Sequence, residues 1–214
     1  MEGRLRITEI FHSLQGETRS VGRPATFVRL TGCPLRCQYC DTAYAFHGGE
    51  WQSLSSILDS VHAGGNRLVV VTGGEPLAQA DALPLMTALC DAGYEVFLET
   101  SGALSVADVD PRVIKVLDLK TPDSGECTRN LWENLPLLSA QDQIKFVICS
   151  RKDYDWAKDV THREALPERC EVLFSPSQGQ MPLTDLAEWI LADKLDVRLQ
   201  IQLHKLIWGD VPGR

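Results

Sequence analysis

Three cysteines fall within eight residues of the stretch GCPLRCQYCDTAY, spaced Cys33-x3-Cys37-x2-Cys40. One loop of that length can turn all three thiolates toward a single metal body, and Gly32 and Pro34 let the chain bend sharply on entry. A structural zinc site wants a fourth Cys or His nearby, because four-coordinate closure is what stabilises it. The next histidine, His47, lies beyond DTAYAF, and Cys90, Cys127, Cys149 and Cys170 fall in or beside predicted elements, where they read as small packed residues. Three thiols without a fourth suit a cubane [4Fe-4S] cluster that leaves one iron open for a ligand. Such a cluster stays anionic, so the open position favours a cationic ligand that chelates through amino and carboxylate groups, as S-adenosylmethionine does. Zinc is the competing reading, and it predicts a colourless protein that chelators unfold.

The elements that must position this loop alternate between strands and helices, the pattern of a parallel sheet flanked by helices. Strands are expected at 25–32 (ATFVRLTG), 67–74, 94–102, 113–120, 143–149, 170–176 and 197–204 (VRLQIQLH), with RLRITEIFHS adding an N-terminal strand at one edge. Near-continuous apolar runs such as LVVV suit strands buried on both faces. LSSILDSVHAGG and LPLMTALCDAG read as helices ended by glycine. In LTDLAEWILAD, Leu183, Leu186, Ala187, Ile190 and Leu191 fall on one helix face. A full eightfold barrel takes about 250 residues, so 214 residues predict an α/β fold with an incomplete barrel of about six parallel strands. The whole of 1–214 reads as one domain. TGGEP, ETSG, DLKTPDSGE and SPSQG each follow a strand, at the rim where parallel α/β folds bind ligands.

Composition narrows the function. A net charge of −8, from 29 acidic and 21 basic residues, argues against a nucleic-acid footprint and for small ligands. No apolar run approaches the roughly 18 residues of a membrane span, and no leader precedes the first strand, so a soluble, cytoplasmic protein with reduced thiols is expected. Trp132, Trp156 and Trp189 are expected to pack helices, and Trp208 to anchor the C-terminal tail.

Taken alone, each supporting motif has a plain reading: TGGEP as a tight turn, Tyr39 as packing, Asp41-Thr42 as a helix cap. Together they resemble a known pattern. CPLRCQYC resembles the CxxxCxxC signature of radical S-adenosylmethionine enzymes, and TGGEP resembles their GGE motif. The resemblance implies that Cys33, Cys37 and Cys40 hold the cluster. It further implies that Tyr39, Cys40, Asp41, Gly74, Glu75, Lys120 and the run Ser175, Pro176, Ser177, Gln178 surround S-adenosylmethionine.

Within that group the chain resembles the 7-carboxy-7-deazaguanine synthases over nearly its whole length, through EIFHSLQGET, GRPATFVRLTGCPLRCQYCDT, TGGEP, ETSG, KTPDSGE, IKFVI and QLHKLIWGDVPG. The resemblance implies that Leu14, Gln15, Gly16, Arg29, Thr72 and the terminal Arg214 meet a pterin, and that Thr42 is a magnesium ligand. Arginine can fork onto a carboxylate where lysine cannot. Magnesium takes about six oxygens, so a lone threonine implies that substrate and water complete its shell. The implied reaction begins with one-electron cleavage of S-adenosylmethionine. Hydrogen is then taken from C6 of 6-carboxy-5,6,7,8-tetrahydropterin, and ring contraction with loss of ammonia gives 7-carboxy-7-deazaguanine for queuosine and other 7-deazapurines.

A flavodoxin or ferredoxin donor, a homodimer and terminal extensions over the substrate are implied as well. TRSVGRP after LQGE and LDLK before TPDSGE depart from the family pattern, which leaves Asp118 and Leu119 unassigned while Lys120 is carried over. No general base is assigned, although His204 and Lys205 invite that role. The competing enzyme reading is a radical activase acting on a glycine of a partner protein; it needs a polypeptide groove and no pterin arginine.

Overall fold

The computed structural model describes residues 3–209, 211 and 213. Nine strands form one sheet: β1 (Arg4–Leu14), β2 (Pro24–Leu30), β3 (Glu50–Ser53), β4 (Leu68–Gly73), β5 (Glu95–Thr100), β6 (Ile114–Asp118), β7 (Gln143–Ile148), β8 (Glu171–Pro176) and β9 (Arg198–Leu199). Their order is β3-β1-β2-β4-β5-β6-β7-β8-β9, and β9 does not return to β3, so the sheet is open. Each neighbouring pair from β2 to β9 is parallel, while β1 runs antiparallel to β2 and β3. Six full strands plus the two-residue β9 make up the parallel part, the incomplete barrel that the alternation of elements predicts.

Period-two alternation divides each strand between two environments. One set, including Val28, Val69, Val71, Val96, Leu98 and Leu117, packs with the helices α1 (Leu54–Gly64), α2 (Ala82–Asp91), α3 (Arg151–Arg163) and α4 (Leu183–Asp193) in the large core. The other set, Ala25, Phe27, Leu68, Val70, Phe97 and Val116, forms a separate apolar cluster on the inner face. Two residues further along the same strands come Arg29, Thr72, Glu99 and Asp118. The inner face therefore has an apolar floor and a polar rim, and the rim is the cavity wall.

Local chemistry sets the element ends. The Ser53 side chain caps α1 by accepting from Ser56 N at 3.2 Å, and Gly65 closes it in a left-handed conformation (φ 69°). Ser150 caps α3, accepting from Asp153 N at 3.3 Å.

Three expectations are corrected. VRLQIQLH is strand only at Arg198–Leu199; Leu203–Trp208 is a short helix, α5, whose Leu203 N–H donates to Gly16 O at 2.9 Å. β1 is not the edge strand, because the unexpected β3 pairs outside it; EWQS is too short and too exposed to carry an alternating pattern. On α4, Leu186 and Ile190 are buried, but Leu183 and Leu191 face out. The strongly charged RKDYDWAKDVTHR is the additional helix α3, amphipathic through Tyr154, Ala157, Val160 and Thr161. The tryptophans do pack helices: Trp189 of α4 lies 5.3 Å from Tyr154 of α3, and Trp132 lies 6.3 Å from Trp156.

Asp153, fully buried at the start of α3, organises the rim beyond β6 and β7. Its carboxylate accepts from Thr121 Oγ1 (3.0 Å), Asp123 N (2.9 Å) and Cys149 N (3.1 Å). Asp153→Ala strands two backbone donors in the interior, those of Asp123 and Cys149, while the Thr121 hydroxyl keeps Val147 O at 3.0 Å. We expect a loss of about 3 kcal/mol, read as a lower denaturant midpoint at unchanged slope.

Candidate active site

The cysteine loop leaves β2 at Leu30, turns at Gly32 (φ 96°) and returns to β3. Three sets of bonds fix it. Gly74 N donates to Leu30 O (3.1 Å) and Glu75 N to Gly32 O (2.8 Å), laying the end of β4 along the loop's entry. Gln38 N donates to Ser124 O (3.0 Å), while the Gln38 and Gln180 side-chain amides bond each other reciprocally at 2.9 and 3.0 Å. Arg36 N donates to the Glu126 carboxylate, and the Arg36 guanidinium lies over the Phe46 ring at 4.2 Å.

The two glycines of TGGEP are required by this contact. A Cβ on Gly74 would sit 2.1 Å from Gly32 O and 2.9 Å from Cys33 Cβ, and one on Gly73 (φ 147°) 2.3 Å from Leu30 O. What the missing side chains admit is the cysteine loop itself, as much as any ligand.

Cys33, Cys37 and Cys40 all line one cavity of about 260 Å³ at the rim. Burial pushes the Cys37 thiol up to about 11; Lys120 opposes the push, and Asp118 with the other thiols adds to it. Cys33 is raised as well, again first by burial. Burial raises Cys149 and Cys170 in the same way; what sets the three rim thiols apart is that they share one cavity wall, the arrangement that suits a cluster. Two further wall atoms are buried and without a partner among the described residues, Tyr39 OH and Asp118 Oδ1. Orphaned polar atoms beside a thiol triad fit a site that receives a polar organic ligand next to a cluster.

The residues expected around S-adenosylmethionine gather here: Tyr39, Cys40, Asp41, Gly74, Lys120, Ser175, Pro176, Ser177 and Gln178 all face the cavity. Lys120 lies 5.7 Å from the Tyr39 ring centroid and 3.1 Å from Asp118. Asp118, left unassigned from the sequence, is on the wall, whereas Leu119 is fully buried. Glu75 is the exception. Its buried carboxylate is turned into the protein, where it accepts from Leu77 N (3.0 Å), Thr100 Oγ1 (2.9 Å), Ser101 N (2.7 Å) and Ser101 Oγ (2.5 Å).

A second cavity of about 100 Å³ adjoins the first and shares with it Glu17, Arg29, Asp41, Thr42, Thr72, Glu99 and Gln202. Leu14, Gln15, Gly16, Arg29 and Thr72, the residues expected to meet a pterin, line this space, with the stacked rings of Phe11 and Phe27 (4.8 Å apart) as an apolar wall. Arg29 Nε donates to Glu9 Oε1 at 2.7 Å, and Tyr44 OH donates to the same oxygen at 2.8 Å. Gly16 is bare because the His204 ring fills the place of its Cβ, at 1.9 Å. Arg214 lies outside the described residues. Thr42 precedes the 3-10 turn Ala43–Phe46, but its hydroxyl makes no cap bond and instead lies 3.8 Å from Cys40 Sγ.

Sequence reasoning passed over the charged groups that tie the cavities together. Glu99 accepts from both Gln15 Nε2 (3.2 Å) and Thr72 Oγ1 (3.1 Å). Lys145 donates to Glu17 at 2.7 Å and lies 3.5 Å from Asp118. Burial works against a charged Glu17, yet Lys145 holds its carboxyl below the ordinary range. Asp41 is likewise held low, with Lys205 at 2.9 Å outweighing burial. The available signal was a charged residue inside an otherwise apolar strand, Glu99 in YEVFLETSG and Lys145 in QIKFVIC.

An open parallel sheet carrying a three-thiol loop at its rim defines a radical SAM protein, and a sequence profile of the Radical SAM superfamily matches residues 27–163. Two curated relatives extend the match to almost the full length. The 7-carboxy-7-deazaguanine synthase of Chlorobaculum tepidum is 44% identical, over 97% of this chain and 96% of that one. That of Koribacter versatilis is also 44% identical, over 95% and 97%. The crystal structure of QueE from Escherichia coli superposes with a TM-score of 0.78 at 26% identity, covering 94% of this chain and 95% of that one. The chain belongs to the 7-carboxy-7-deazaguanine synthase family.

Gly74→Ala drives a methyl into the backbone of the cysteine loop. The expected result is a stability loss of about 1–3 kcal/mol, together with a fall in iron and sulfide bound per chain after anaerobic reconstitution.

Proposed function

We propose that this protein is a lyase that contracts 6-carboxy-5,6,7,8-tetrahydropterin to 7-carboxy-7-deazaguanine with release of ammonia, in the formation of queuosine and related 7-deazapurines. The observation that carries this reading is the pair of adjoining cavities, one holding the three thiols and the other the residues that match a pterin site, with Thr42 and Arg29 on the wall between them. Cavities of about 260 and 100 Å³ suit two small molecules. When bound, the [4Fe-4S] cluster and S-adenosylmethionine supply the hydrogen-abstracting chemistry.

The residues of the chain bind, orient and shield. Cys33, Cys37 and Cys40 hold the cluster. Tyr39, Asp118 and Lys120, with Ser175 to Gln178, hold S-adenosylmethionine; Gly74 gives it room, and Glu75 acts from behind by fixing the turns. Phe11 and Phe27 give a flat bicyclic ring an apolar face. Arg29, anchored at Nε by Glu9, keeps its terminal nitrogens for an acceptor on the substrate.

Magnesium is part of this reading, and the charge of the site supports it. Around the smaller cavity Lys145 and Lys205 are taken by Glu17 and Asp41, and Arg29 is shared with Glu9, while Glu99 makes no ion pair among the described residues, which leaves little positive charge for a carboxylated substrate. A divalent cation on the Thr42 hydroxyl, completed by substrate oxygens and water, redresses it. The N-terminal strand and α5 cover this cavity, a flavodoxin or ferredoxin delivers the electron, and the family likeness supports a homodimer. Among the described residues no helix is long and apolar enough to cross a membrane.

Anaerobic incubation of reconstituted protein with the pterin, S-adenosylmethionine, a reductant and magnesium is expected to yield 7-carboxy-7-deazaguanine by mass spectrometry. Formation of 5′-deoxyadenosine alone would discard the pterin. Thr42→Ala is expected to abolish the stimulation of turnover by magnesium while leaving iron content unchanged; undiminished stimulation would remove Thr42 from the metal site.

A further inference from the structure

Lys145 occupies a position that none of the roles above uses. It stands in the middle of β7, with Asp118 of β6 as its register partner. Its ammonium makes two ion pairs in opposite directions, to Glu17 at 2.7 Å and to Asp118 at 3.5 Å. Glu17 belongs to the wall common to both cavities; Asp118 and its second partner, Lys120, belong only to the larger. The side chains of Lys145, Glu17 and Asp118 are 13%, 11% and 15% exposed, so these pairs are weakly screened and directional. Glu17 is held from its other side by Gln202 Nε2 at 2.9 Å, which leaves it no slack. A continuous row of alternating charge, Glu17, Lys145, Asp118, Lys120, thus runs from the substrate cavity to the Tyr39 wall.

We propose that Lys145 is a positioning residue that sets the separation of the two ligand sites, holding the pterin wall and the S-adenosylmethionine wall at a fixed distance from one strand. The inference rests on the two-ligand reading given above. Hydrogen transfer between two bound molecules depends steeply on their spacing, and a displacement of about 1 Å costs on the order of 10²-fold in rate. Without the strut each ligand still finds its own wall, but the walls no longer stay in register. Cleavage of S-adenosylmethionine then proceeds without ring contraction, and binding of one ligand stops being felt by the other.

The test compares wild type with Lys145→Met, Lys145→Arg and the double variant Glu17→Gln/Lys145→Met, in which the carboxylate stranded by the first change is neutralised. Calorimetry on the reconstituted protein uses two unreactive probes, S-adenosylhomocysteine and 6-carboxypterin. In wild type each probe is expected to tighten the other by roughly 5-fold or more. In Lys145→Met the two are expected to bind independently, and 5′-deoxyadenosine formed per deazapurine to rise on the order of 10-fold or more. The double variant should recover thermal stability but neither the mutual tightening nor the product ratio, and Lys145→Arg should recover part of both.

Wild-type tightening and product ratio in the double variant would overturn the proposal, since Lys145 would then matter only for charge balance. So would equal losses of deoxyadenosine and deazapurine at an unchanged ratio, or independent binding in wild type. A wild-type protein that neither binds the pterin probe nor forms the deazapurine would instead refute the functional reading.

Discussion

A buried carboxylate, that of Glu75, holds the rim together. Sealed from water, it has to find its donors inside the protein, and it takes them from Leu77 in its own turn and from Thr100 and Ser101 at the end of β5. Its amide meanwhile donates to Gly32 at the mouth of the cysteine loop. One residue therefore joins β2, β4 and β5 where each strand gives way to irregular chain. The bare Gly73-Gly74 backbone is what lets the three approach, so the glycines and the acid of the motif act as a single device. Its sequence signature looks like a ligand-binding motif because the ligand wall cannot form without it.

The larger features were legible because they depend on local pattern. Apolar runs of four or five residues mark strands buried on both faces, and the cysteine spacing specifies a loop whatever surrounds it. The same alternation that separates core from inner face also predicts, in retrospect, which strand residues reach the cavity: Arg29, Thr72, Glu99, Asp118 and Lys145 continue the inner-facing series of their strands. What stayed hidden was pairing over distance. Lys145 meets Glu17 across 128 positions, and nothing near either residue announces the other. The misread segment, LQIQLH, alternates like a strand, but Leu203 is taken by Gly16 from the far end of the chain, and a short helix wins.

The charge of the site also has an internal logic. Positive groups are spent on neighbours: Arg29 on Glu9, Lys205 on Asp41, and Lys145 on Glu17 and Asp118. Such pairing holds side chains still at the cost of attraction left over for an anionic ligand. Geometry is favoured over raw affinity, a sensible balance where a reactive species must meet one carbon and no other.

The contact between Gln202 and Glu17 spans 185 positions, so the wall common to both cavities is closed by residues from opposite ends of the chain. On the ribosome, the first strand and the cysteine loop emerge long before the segment that roofs the smaller cavity. Closing so long a loop is slow. The cysteine loop is held from late in the chain as well, through the paired amides of Gln38 and Gln180, so neither cavity is complete until the last third of the chain has folded.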